Sequence, residues 1–171
     1  MCEQAPVLRA FADEVLRQTF GSAPGYPELT VLDSTVPARV RSVAEAIDPA
    51  HTLFLVSSKS GSTTEPNMFY AYFRDLVEQA VGKEAAGRNF IAVTDPGTSL
   101  QKLGREQRFR RVFLNPTEIG GRYSILSYFG LVPAAVIGLD VMKLVGRADC
   151  MREGTASCVP SHENPGAWLG G

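Results

Sequence analysis

Cysteine is scarce: Cys2, Cys150 and Cys158 are the only 3 in 171 residues. An odd number leaves a thiol unpaired in any scheme. None sits in CxxC or metal-ligand spacing, and the pattern suits reduced thiols in a cytoplasmic protein. Excess charge is lacking too, since 17 Lys and Arg against 18 Asp and Glu give a net charge of −1. No bulk attraction to nucleic acid or an anionic membrane is expected, so any bound anion must be held locally. A basic helix-turn-helix is also missing. The N-terminus has no basic segment followed by an apolar core, so no secretory signal is expected. The longest uncharged run, 123–139, contains Ser124, Ser127, Gly130 and Pro133. It falls short of the roughly 20 apolar residues of a membrane span and predicts a buried helix. Neither GxxxxGK[ST] nor GxGxxG after a strand occurs, so these motifs support neither a nucleoside triphosphate nor a dinucleotide. There is no internal repeat or low-complexity tract. With 44% hydrophobic and 20% charged residues, disordered, collagen-like and coiled-coil readings are excluded.

What is present alternates between two periodicities. Val7, Leu8, Phe11, Val15, Leu16 and Phe20 recur at helical spacing, and Gly21 closes the segment. A β-rich run at 29–32 follows. Asp33-Ser34-Thr35 and Pro37 then introduce a helical face of Val40, Val43, Ala44 and Ile47. Residues 52–56 are almost wholly apolar and read as a strand buried on both faces. A polar loop and a long helix marked by Phe69, Phe73, Leu76, Val77 and Val81 come next. Strands at 90–93 and 111–114 flank a turn at 95–98 and a short helix carrying Leu100 and Leu103. Asn115-Pro116 and Gly120-Gly121 punctuate the chain before an apolar helix beginning near Ser124. About four strands alternating with helices, and beginning with a helix, predict an open doubly wound α/β domain. Its parallel sheet carries helices on both faces in three layers. The expected domain spans 1–148, and 149–171 reads as an irregular tail or a truncated continuation. Ligands of such folds sit beyond the carboxyl ends of the strands, which points to the loop after Val56.

In that loop, Ser57 to Thr64, six of eight residues carry a hydroxyl, and the others are Lys59 and Gly61. Hydroxyls, exposed amides at a helix start and a glycine that lets the chain curl suit a phosphate dianion. One lysine without neighbouring acidic ligands fits a monophosphate bound with no obligatory metal. The same composition would also suit a solvated loop. Its position between a buried strand and a helix favours the anion site.

The segment Ser57-Ser58-Lys59-Ser60-Gly61-Ser62-Thr63-Thr64-Glu65-Pro66 resembles the phosphate-binding segment of the sugar isomerase (SIS) domain, as found in the glucose-6-phosphate isomerase family. Gly120-Gly121-Arg122-Tyr123-Ser124, followed by an apolar helix with Gly130-Leu131, resembles that family's second signature. Val93-Thr94-Asp95-Pro96-Gly97 and Asn164-Pro165-Gly166 are similar to the isomerase half of bifunctional transaldolase/glucose-6-phosphate isomerases. The resemblance covers roughly 14–169. It implies that the hydroxyls of Ser58, Ser60 and Thr63 hold a sugar 6-phosphate, with Lys59 at the basic position. Gly121 would let the backbone approach the sugar, and Arg122 would be the catalytic cation that stabilises an enediolate. Glucose 6-phosphate and fructose 6-phosphate would be the ligands, without cofactor or metal, in a parent that forms a homodimer.

Other family features find no counterpart in the sequence. The glutamate base, the ring-opening histidine and the C-terminal lysine lie beyond the Gly-Gly-Arg segment in the family and match no position here. Glu118 reads as a loop residue, His162-Glu163 as a solvated stretch, and His51 as part of a turn before a strand. The family's first strand and its glycine- and serine-rich loop are replaced by Val7-Leu8-Arg9-Ala10-Phe11-Ala12-Asp13. The expectation is a fragment of a larger isomerase, inactive or weak alone. The alternatives are a non-catalytic sugar-phosphate sensor and a chain that folds without binding a ligand.

Overall fold

The computed structural model describes residues 5–7 and 11–170, and side chains for 14–121 and 123–170. In chain order these form β1 (Ala5–Val7), α1 (Phe11–Phe20), β2 (Leu29–Val31), α2 (Pro37–Ala46), β3 (Phe54–Ser57) and α3 (Thr64–Val81). There follow β4 (Phe90–Thr94), α4 (Ser99–Glu106), β5 (Arg111–Leu114), α5 (Tyr128–Val136), α6 (Val141–Gly154) and α7 (Pro165–Gly170). Single 3-10 turns occupy Ala86–Asn89 and Gly121–Tyr123.

Strands β3, β4 and β5 form a parallel sheet in that order, Phe54 opposite Phe90 and Ile91 opposite Arg111. The short strands β1 and β2 pair in parallel, Ala5 opposite Leu29, and β1 also runs beside β3. The hydrogen-bonded ladders therefore fall into two parallel sheets, β1-β2 and β3-β4-β5. Doubly wound sheets place ligands outside the carboxyl ends of their strands, where the loops after β3, β4 and β5 lie.

All positions of β3 and β4 are buried, as their continuous apolar runs require. Side chains alternate between faces along a strand, and two cores result. Phe54, Val56, Phe90 and Ala92 join Val43 of α2, Phe69, Phe73 and Val77 of α3, and Leu100 of α4. Leu55, Ile91 and Val93 pack on the opposite side with Phe129 and Val132 of α5 and with Ile137. The first core is centred on aromatic rings, with Phe90 stacked on Phe54 at 5.0 Å and on Phe109 at 5.4 Å, and Tyr70 edge-on at 5.3 Å. The architecture is the expected α/β fold with helices on both faces of a parallel sheet.

Three details differ from the sequence reading. Among the described residues a strand, β1, precedes the first helix, which starts at Phe11, so Val7 belongs to the strand while Leu8 lies outside the described residues. Three residues carry no periodicity, and only hydrogen bonding to β2 makes them a strand. Helix α5 begins at Tyr128 rather than near Ser124, because the Ser127 hydroxyl caps it by accepting from the Phe129 amide. The compact body closes at Leu139, and 140–171 form a second unit. Within it, 149–154 continue α6, whose start is capped by the Asp140 carboxylate accepting from the Lys143 amide at 2.9 Å. No α6 or α7 residue is buried. Among the described residues no helix is long and apolar enough to cross a membrane.

Candidate functional site

The loop after β3 is organised by its own hydroxyls. The Ser58 amide prolongs the strand pairing by donating to the Val93 carbonyl at 3.0 Å. The buried Ser58 hydroxyl accepts from the Gly61 amide at 3.1 Å and donates to the Thr63 hydroxyl at 3.2 Å. Gly61 has φ +68°, and a Cβ there would stand 2.8 Å from the Thr98 Cβ and 2.9 Å from the Leu100 nitrogen. Glycine is therefore demanded by both conformation and space. Its carbonyl accepts from the Ser99 hydroxyl at 2.7 Å, which joins the loop to the start of α4.

Beyond Gly61 the chain enters α3, 18 residues long, and the N-cap Thr63 makes no side-chain bond to the helix amides. First-turn N–H groups have no partner within a helix, and they lie at its positive end. Beside them are the exposed Ser60 and Ser62 hydroxyls, 3.0 Å apart, and the half-buried Thr63. This set of donors can hold a tetrahedral oxyanion. Ser58 and Thr63 are brought together directly, with Ser58 braced inward and Ser60 at the surface.

Lys59 is engaged elsewhere. Its ammonium donates to the Asp95 carboxylate at 2.5 Å and to the Thr117 carbonyl at 2.9 Å. Asp95 follows β4, and Thr117 lies between β5 and the Gly120-Gly121 segment. The sequence reading has Asp95 in a turn and in a family-like segment, with no role given to its side chain, although its place at a strand's carboxyl end is a usable signal. Asn115, also unflagged, is buried at the end of β5, where its amide donates to the Thr94 carbonyl at 2.8 Å and its side-chain oxygen accepts from the Tyr128 amide at 3.2 Å.

The second motif forms the 3-10 turn Gly121–Tyr123, closed by the Ser124 hydroxyl donating to the Gly121 carbonyl at 2.6 Å. Gly121 is exposed, and a Cβ there would meet nothing within 4 Å, so packing does not require glycine. The Arg122 backbone belongs to this turn, while its side chain lies outside the described residues. Glu118 is exposed, His51 bonds the Asp48 carboxylate at 2.7 Å in the turn before β3, and His162 pairs with its neighbour Glu163 at 3.3 Å.

A family model described as phosphoglucose isomerase matches residues 10–165. The chain belongs to the phosphoglucose isomerase family. Among relatives, it is 33% identical over 148 residues to a glucose-6-phosphate isomerase of Staphylococcus saprophyticus, covering 85% of this chain and 33% of that protein. A glucose-6-phosphate isomerase of Parabacteroides distasonis is 37% identical over 110 residues, covering 64% of this chain and 25% of that protein. The chain thus spans about a third or less of the length of these relatives. Among solved structures, a hypothetical protein of Thermus thermophilus superposes with TM-score 0.79 at 26% identity, over 94% of this chain and 39% of that one. A glucose-6-phosphate isomerase from Chlamydia trachomatis shares the fold, with TM-score 0.71 at 23% identity over 92% of this chain and 29% of that one.

Proposed function

We infer that this member of the family is the sugar-phosphate-binding part of a glucose-6-phosphate isomerase. The hydroxyls of Ser60 and Thr63 and the first amides of α3 would take the 6-phosphate, with Ser58 holding the loop in shape. The observation that carries this reading is the hydroxyl loop between the carboxyl end of β3 and the head of α3, where the N-cap Thr63 makes no side-chain bond to the helix amides and the Ser60 and Ser62 hydroxyls are exposed. Arg122, in the turn after Gly121, would lie at the sugar end. Isomerisation between an aldose and a ketose moves a proton between adjacent carbons through an enediol, and a permanent cation beside the developing oxyanion lowers that barrier. No residue of the chain is assigned as the general base. The ligand-binding body is proposed to be the unit ending at Leu139, acting in the cytoplasm within a homodimeric parent of the transaldolase-fused kind.

Calorimetric titration with fructose 6-phosphate and 6-phosphogluconate tests the site. Thr63→Ala is expected to weaken binding by about 1–3 kcal/mol, the cost of removing a polar partner from a partly buried site. Arg122→Ala should weaken the sugar phosphates while sparing inorganic phosphate. A folded sample that takes up none of these ligands at millimolar concentration would sink the proposal. Turnover in a coupled isomerase assay separates an active isomerase unit from a sensor module.

A further inference from the structure

We propose that Lys59 is a positioning residue: a strut joining the loops after β3, β4 and β5, which sets the distance between the phosphate end and the sugar end of the site. The inference rests on the sugar-phosphate reading and deepens it, since it removes the loop's cation from the set of phosphate ligands.

Lys59 is bound at both its backbone and its side-chain tip. Its carbonyl accepts from the Asp95 amide at 3.2 Å and from the Thr94 hydroxyl at 3.4 Å, which ties it to the end of β4. Its ammonium spans the Asp95 carboxylate and the Thr117 carbonyl, so the next loop, the one leading into Gly120-Gly121-Arg122, hangs on the same side chain. The Asp95 side chain is only 14% exposed, and its second oxygen, Oδ1, is buried without a hydrogen-bond partner. Lys59 is the cation that compensates this carboxylate. Drawing the ammonium away toward a phosphate would leave Asp95 charged, largely desolvated and unpaired, which is costlier than the new contact is favourable. A lysine already neutralised by an adjacent carboxylate also adds little net field at an anion site. The phosphate is left to hydroxyls and α3 amides, and Lys59 governs where the Arg122 turn stands relative to them.

The two roles predict opposite signs for Asp95. A phosphate-binding Lys59 would be released by Asp95→Asn, and phosphate affinity would rise. A strut would be broken by Asp95→Asn as surely as by Lys59→Gln. The full chain and the variants Lys59→Gln, Asp95→Asn, the double variant and Lys59→Arg are titrated with inorganic phosphate and with fructose 6-phosphate. Amide hydrogen exchange of 115–124 is followed without ligand, with 70–81 in α3 as the internal check on folding. Expected for each single variant is phosphate affinity within about twofold of the parent and fructose 6-phosphate affinity lower by about tenfold or more. The double variant should be no worse than either single one, and Lys59→Arg should recover most of the loss, because a guanidinium can also donate to a carboxylate and a carbonyl. Exchange at 117–121 should quicken in both single variants while 70–81 holds. Parallel loss of both ligands in Lys59→Gln, with a gain of phosphate affinity in Asp95→Asn, overturns the proposal. If the parent chain binds neither ligand, the sugar-phosphate reading fails. Exchange then decides the strut: unchanged rates at 117–121 in Lys59→Gln overturn it, and faster rates uphold it as a tie between loops.

Discussion

Ser58 and Gly61 work as a pair. The hydroxyl of one receives the amide of the other, and that bond curls the loop so that Thr63 arrives at the head of α3. Gly61→Ala is expected to break this arrangement. The positive φ alone costs a β-carbon about 1–2 kcal/mol, and the overlaps with Thr98 and Leu100 must be relieved as well. Urea denaturation should register that loss, and calorimetry should show phosphate binding falling with it. A variant of parental stability and affinity would mean that the curled loop is not the binding conformation. Hydroxyl richness was visible in the sequence, but which hydroxyl faces inward was not. Ser58, Ser60 and Thr63 look alike as residue types, and only the position of Gly61 turns Ser58 into the brace. Lys59 illustrates the same limit, for its partners Asp95 and Thr117 lie 36 and 58 residues away along the chain.

At the scale of elements, legibility followed burial. β3 and β4 could be read because both of their faces meet apolar neighbours, and α3 because its apolar residues recur over five turns. The short helix α7 and the three-residue β1 offered no such pattern. Within α3, Tyr70 packs edge-on to Phe90, and burial pushes its phenol above the ordinary tyrosine range. Above about pH 10 the unfolded chain therefore releases this proton while the folded chain still holds it, so the unfolded state binds fewer protons and stability falls as pH rises. Tyr70→Phe removes this contribution. Unfolding free energies measured between about pH 9 and about pH 11 should decline less steeply in the variant. Equal slopes would show that the phenol titrates alike in both states.

For the molecule as a whole, the described members of both cores all precede Asp140. Removing 140–171 is expected to leave a cooperatively folding body, since the apolar burial that drives folding is retained. Far-UV circular dichroism during urea unfolding checks this, and loss of a sigmoidal transition in the shortened chain would refute it. Apolar periodicity and local turn chemistry act over a few residues, and they were enough to establish the α/β class, the parallel sheet and the hydroxyl loop after a buried strand. Two loop motifs sufficed to indicate the family. Tertiary contacts were needed to establish that β1 pairs with β2, that the main body ends at Leu139, and that Lys59 bonds Asp95 and Thr117. Each of these depends on contacts between segments distant in the chain, whose free energy exists only once the strands are side by side.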